Sequence, residues 1–276
     1  MKFELRAFQE TAVIQTRKNI NKAMRNKKEE GDDSWILLNS PTGSGKTVMA
    51  TEIMERVIQG CNSYAANPDA IFLWISDLPE INTQTIEKID SYSDEFSSKS
   101  NIIQIDGDFD EPVLSPGNLY VLNTQKLGKG TKLVSHGNHR ENTIWEILSN
   151  TIDECPSDLI VIIDEAHRGA QKGKAFNDAD TIIKKFLLGS PGEMPLSPIV
   201  VGITATPDHF EKLMEGTERD KHSCTVPASE VRKSGLLKDE LVFATSKTIS
   251  KEKMLESATK DWQSSCKLWK KHCEEN

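Results

Sequence analysis

The sequence predicts an α/β fold in which a mainly parallel sheet carries helices on both faces. Three observations lead there. Short, continuous apolar runs recur along the 276-residue chain with helical stretches between them, as in strands buried on both sides. The first run leads into a small-residue loop, SPTGSGKT at Ser40–Thr47, and a helical stretch follows it. Each polar motif lies just past the carboxyl end of an apolar run, where such sheets bind their ligands.

Taken in order, Leu5–Lys22 spaces its apolar residues helically, and the polar NKKEEGDD at Asn26–Asp33 reads as a loop. WILLN at Trp35–Asn39 is the first strand, and TVMATEIMERVIQ behind the loop is a helix. AIFLWIS at Ala70–Ser76 is the second strand, bounded by Pro68 and Asp77, and Pro79 to about Phe96 is a polar helix. NIIQI at Asn101–Ile105, LYVLN at Leu119–Asn123, DLIVIID at Asp158–Asp164 and PIVVGITA at Pro198–Ala205 complete the strands.

Composition limits the function. With 34 basic and 42 acidic residues the net charge is −8, so any nucleic-acid binding must be local. Five cysteines without a C-x-x-C pair indicate neither a zinc site nor a disulfide framework, and point to reduced thiols in the cytoplasm. No uninterrupted apolar run approaches membrane-spanning length, so no membrane partner is expected.

The loop is a phosphate cradle: backbone N–H groups converge on an anion and the helix N-terminus adds partial positive charge. Thr42, Gly43, Ser44, Gly45, Lys46 and Thr47 are the candidate nucleotide-binding residues. Lys46 would reach the β- and γ-phosphates, and the Thr47 hydroxyl would ligate Mg²⁺. Ser40 stands where the strict pattern has glycine, and a small residue still fits. Hydrolysis needs a carboxylate for the metal and a second group to activate water. LIVII runs straight into Asp164-Glu165-Ala166-His167, with Asp164 suited to the metal and Glu165 to general-base work, since successive strand-end side chains diverge.

SPTGSGKT, DEAH and Gly202-Ile203-Thr204-Ala205-Thr206-Pro207 together resemble the first RecA-like domain of a superfamily 2 helicase or translocase. LRAFQ at Leu5–Gln9, LYVLNTQKLGKG at Leu119–Gly130, DEAHRG at Asp164–Gly169 and VRKSGLLKDEL at Val231–Leu241 resemble, more narrowly, the Res subunit of type III restriction enzymes. The resemblance implies a three-layer RecA-like P-loop NTPase domain using ATP and Mg²⁺. It implies adenine recognition by Gln9, whose amide can pair with adenine N6 and N7. It also implies coupling of the nucleotide and nucleic-acid sites through His167, Thr204 and Thr206.

An acidic chain that tracks nucleic acid must concentrate its positive charge. Pro112–Arg140 holds no acid and carries Lys126, Lys129, Lys132 and Arg140 with the neutral donors Thr124 and Gln125; Ala166–Asn177 repeats the pattern with Arg168, Lys172 and Lys174. Thr124, Gln125, Lys126, Lys129 and Arg168 are the candidate contacts, to backbone phosphates and not base edges. The expected partner is double-stranded DNA. By resemblance Asp77-Leu78-Pro79 occupies a phosphate-contacting segment, and an aspartate stands there in place of a basic or neutral polar residue.

In the tail, Leu255, Ala258, Trp262, Cys266, Trp269 and Cys273 put an apolar stripe on one face of a charged helix. It packs on the same domain or links to a second lobe. The expected division is a nucleotide-binding lobe at 1–245 and this helix at 246–276. The Q-x-x-G-R-x-G-R motif of the family's second RecA-like lobe is nowhere in the sequence, so the chain is expected to be the front of a longer protein that binds ATP and turns it over poorly alone. A nuclease or methyltransferase is a further expected partner. The competing reading is an ATP-binding regulatory or scaffolding module without turnover; a small-molecule P-loop kinase would lack the DEAH and TATP pair.

Overall fold

The computed structural model describes residues 2–275 except 3, 78, 129, 138–139, 165–181 and 238–249. The chain separates into two compact units, Met1–Leu237 and Lys238–Asn276.

The first unit opens with α1 (Ala7–Glu29), followed by β1 (Ser34–Asn39), α2 (Lys46–Ile58), β2 (Ile71–Ser76) and α3 (Pro79–Tyr92). Next come β3 (Ile102–Gln104), β4 (Leu119–Asn123), two 3₁₀ turns (Thr124–Leu127 and Lys132–Val134), α4 (Ile144–Glu154) and β5 (Leu159–Asp164). A helix, α5, covers residues 182–188. β6 (Ile199–Thr204), α6 (Pro207–Leu213), β7 (Asp220–Thr225) and α7 (Ala228–Lys233) complete the unit.

Seven strands form one sheet in the order β3-β4-β2-β5-β6-β1-β7, and every pair is parallel. Alternate strand residues feed two separate cores, because successive side chains leave opposite faces of a strand. Ile36, Leu38, Phe72, Trp74, Val121, Ile160 and Ile162 pack with Val13 and Ile20 of α1 and Met49, Ile53 and Val57 of α2. Leu37, Leu73, Ile75, Leu122, Val161 and Ile163 pack on the other face with Trp145 and Leu148 of α4, Ile183 and Phe186 of α5, and Phe210 of α6. This is the RecA-like arrangement of helices on both faces, and it places all strand carboxyl ends along one edge.

Several elements differ from the sequence reading, α1 and β7 among them. α1 runs on to Glu29, through the first half of the expected loop. Lys27 and Lys28 in its last turn favour the negative end of the helix dipole, and Gly31, at φ 80°, closes it with its N–H on the Asn26 carbonyl. β7 was not anticipated: DKHSCT is polar because it is an edge strand, paired only with β1.

The second unit is one described helix, α8 (Lys251–Glu275). Leu255, Trp262 and Trp269 of the expected stripe are about two-thirds exposed or more (71%, 65% and 67%). Among the described residues no helix is long and apolar enough to cross a membrane, and all five cysteines are free.

Candidate functional site

Sheet register brings the motifs together. Asn39 at the end of β1 faces Thr204 at the end of β6, and Ile203 of β6 faces Asp164 at the end of β5. The phosphate loop therefore leaves the sheet two strands from Asp164, and the Ser40 N–H donates to the Thr204 carbonyl at 2.9 Å. Gly43, Gly45, Lys46, Thr47 and Asp164 line one cavity of about 410 Å³.

The loop is built to keep its shape. Gly43 and Gly45 lie at φ 84° and 83°, where a side chain is strained. Ser40 and Ser44 are fully buried and share a hydroxyl–hydroxyl hydrogen bond of 2.6 Å. α2 begins at Lys46 with no acid in its first turn, so its positive end is left for an anion. The Lys46 Nζ donates to the Ser40 carbonyl at 3.4 Å, a long contact that a phosphate oxygen can replace.

Gln9 sits against the phosphate loop. It is 6% exposed; its Oε1 accepts from the Arg6 N–H at 2.9 Å and its Nε2 donates to the Ser44 carbonyl at 2.9 Å. Both ends of the amide thus join the start of α1 to the phosphate loop. A Cβ on Gly45 would sit 2.5 Å from that same Nε2. Gly45→Ala is therefore expected to strain the backbone by about 1–2 kcal/mol and to push Gln9 off Ser44. The check is nucleotide titration of folded protein, where affinity should fall by about tenfold or more.

α3 supplies a wall that the motifs did not indicate. Ile81, Gln84, Thr85 and Lys88 line the same cavity as the loop. Their spacing of three, one and three is the face of a helix, a signal legible in a stretch already expected to be helical. The Thr47 hydroxyl and the Asp164 carboxylate are hard oxygen donors on the same cavity, a set that fits Mg²⁺, which takes one or two protein oxygens and completes its shell with water and phosphate. Among the described residues there is no cluster of three or more His, Cys, Asp or Glu to hold a metal by itself.

At the TAT segment the Thr204 Oγ1 accepts from the Thr206 N–H at 3.0 Å and lies 3.3 Å from the Thr206 Oγ1. Glu165, His167, Arg168 and Lys129 lie outside the described residues. Of the remaining nucleic-acid candidates, Gln125 is exposed, and the Lys126 Nζ donates to the Ile105 carbonyl at 3.2 Å. Thr124 is 1% exposed and donates its hydroxyl to Asp77 at 3.0 Å. Arg140 holds the carbonyls of Phe109, Gly107 and Asn142 at 2.6, 2.6 and 3.1 Å, so its charge organises loops instead of extending the basic window.

A family model described as type III restriction enzyme, res subunit, matches residues 2–209. No curated protein matches the chain. Among solved structures, a nuclease-deletion mutant of the Type ISP restriction-modification enzyme LlaGI, in complex with a DNA substrate mimic, is similar at a TM-score of 0.46 and 16% identity. That likeness covers 85% of this chain and 21% of the other.

Proposed function

Because the chain belongs to the family of the type III restriction enzyme Res subunit, a family of helicase-type ATPases, we propose that it is an ATP-driven motor lobe that tracks the backbone of double-stranded DNA within a restriction or related phage-defence system. The observation that carries this reading is the meeting of Lys46, Thr47 and Asp164 on one cavity at the carboxyl edge of the sheet. The loop N–H groups and Lys46 would bind and orient a triphosphate. Thr47 and Asp164 would hold Mg²⁺, which when bound neutralises charge on the phosphates. Glu165 would take the proton from the attacking water, and Thr204 and Thr206, with His167, would relay the state of this site to the nucleic acid. Residues 1–245 would form the lobe and 246–276 a helix toward a second RecA-like lobe, whose arginine would complete the site and without which turnover is slow.

The test is ATP hydrolysis by this chain with and without duplex DNA. Turnover is expected to be slow, to rise when DNA is added, and to fall by about 10²-fold or more in Glu165→Gln. Nucleotide binding without turnover, unchanged by DNA, would mark the chain as an ATP-binding regulatory module instead.

A further inference from the structure

Asp77 is the residue whose surroundings fit a phosphate-contacting segment least. It follows β2 directly and is 7% exposed; burial pushes its carboxyl up from the ordinary range, and the Thr124 hydroxyl opposes that rise. The Thr124 Oγ1 donates to Asp77 Oδ1 at 3.0 Å across 47 residues of chain. Register sets up the pair: Ser76 of β2 faces Asn123 of β4, so the residues that follow leave the sheet side by side.

The bond joins two functional surfaces. Beyond Asp77 the chain enters α3, whose Ile81, Gln84, Thr85 and Lys88 wall the nucleotide cavity. Thr124 opens the 3₁₀ turn Thr124–Leu127, which carries Gln125 and Lys126. That turn is fixed at both ends: the Asn123 Oδ1 accepts from the Gln125 N–H at 2.8 Å, and the Thr131 hydroxyl donates to the Lys126 carbonyl at 2.6 Å. A buried carboxylate stripped of its donor is costly, so the turn and the start of α3 favour keeping their relative placement.

We infer that Asp77 and Thr124 are a positioning pair that ties the wall of the nucleotide cavity to the turn offered to nucleic acid, an inference that rests on the functional reading above. Asp77 acts through Thr124 and does not face phosphate. The pair therefore carries part of the coupling between the two ligands, beside the TAT segment.

Binding of a fluorescent duplex oligonucleotide, with and without a non-hydrolysable ATP analogue, tests this. Asp77→Asn keeps an acceptor for Thr124 and should bind DNA within about twofold of the parent. Asp77→Ala and Thr124→Val should each weaken DNA binding by about tenfold, the double variant no further than either alone, and Thr124→Ser should restore it. In Thr124→Val the change in DNA affinity caused by the analogue should shrink toward none. A carboxylate that merely repels phosphate would make both Asp77→Asn and Asp77→Ala bind more tightly, and that result overturns the inference. So does a folded Thr124→Val that binds and couples like the parent. If Thr124→Val does not fold, the two Asp77 variants still decide. A folded parent that binds nucleotide but no DNA would instead refute the motor reading, and the inference with it.

Discussion

Lys46→Ala should lower nucleotide affinity by about a hundredfold, the value of roughly 3 kcal/mol from two charge-assisted hydrogen bonds to phosphate. The size follows from where the ammonium sits. It stands at the first residue of α2, above a helix end with no acid to neutralise it, and on the same cavity as Thr47 and Asp164. Its contact to the Ser40 carbonyl, at 3.4 Å, is long for an N–H···O bond, one that a phosphate oxygen can replace. Alanine is a good helix former, and Lys46 is only partly buried, so the melting temperature should stay near that of the parent. Titration with ATP in the presence of magnesium gives the affinity. A Lys46→Ala protein that held ATP as tightly as the parent would remove the basis for every functional statement made of this cavity.

Which parts of this arrangement were legible in the sequence follows from how local each determinant is. β1, β2, β4, β5 and β6 are buried on both faces, so each appears as an unbroken apolar run, and each was placed within one residue at either end. The phosphate loop was legible because its glycines answer a local backbone demand, φ values of 84° and 83° at Gly43 and Gly45. β7 escaped because an edge strand needs few apolar residues. α4 carries a local signal too: Thr143 and Glu146 form a capping box, spaced as T-x-x-E before an apolar run. The surroundings of Gln9, Thr124 and Arg140 were not legible, since each depends on a carbonyl or carboxylate that tertiary folding brings from 31 to 47 residues away. Polar residues in a basic window look alike in sequence whether they face solvent or hold the fold together.

The same non-locality hides the residue on which the other edge of the sheet depends. Arg219→Met should lower stability by about 3 kcal/mol, roughly 6–12 °C in melting temperature for a domain of this size. Arg219 is 8% exposed, and its guanidinium donates to four backbone carbonyls: Leu187 at 2.8 Å, Ser34 at 2.9 Å, Ser197 at 2.5 Å and Pro198 at 3.1 Å. One side chain thereby joins the end of α5, the start of β1 and the approach to β6. Burial lowers its pKa to about 10, against the weaker pull of Asp33. The sign matters: a base whose folded value lies below its unfolded value is penalised while charged, and the penalty lifts only as the pH rises through about 10. Between about pH 6 and 9 the group stays charged, so the deficit of Arg219→Met against the parent should be flat across that window. Methionine fills much of the same space, which isolates the lost donors from a cavity. Arg219→Lys should fall between the two, because a single ammonium cannot match the planar fork over carbonyls on several sides. Thermal melts of the three proteins decide, and an Arg219→Met protein as stable as the parent would mean that these carbonyls do not depend on the guanidinium. Nucleotide affinity should not follow the loss, since Arg219 lies at the amino ends of the strands and Lys46 at their carboxyl ends.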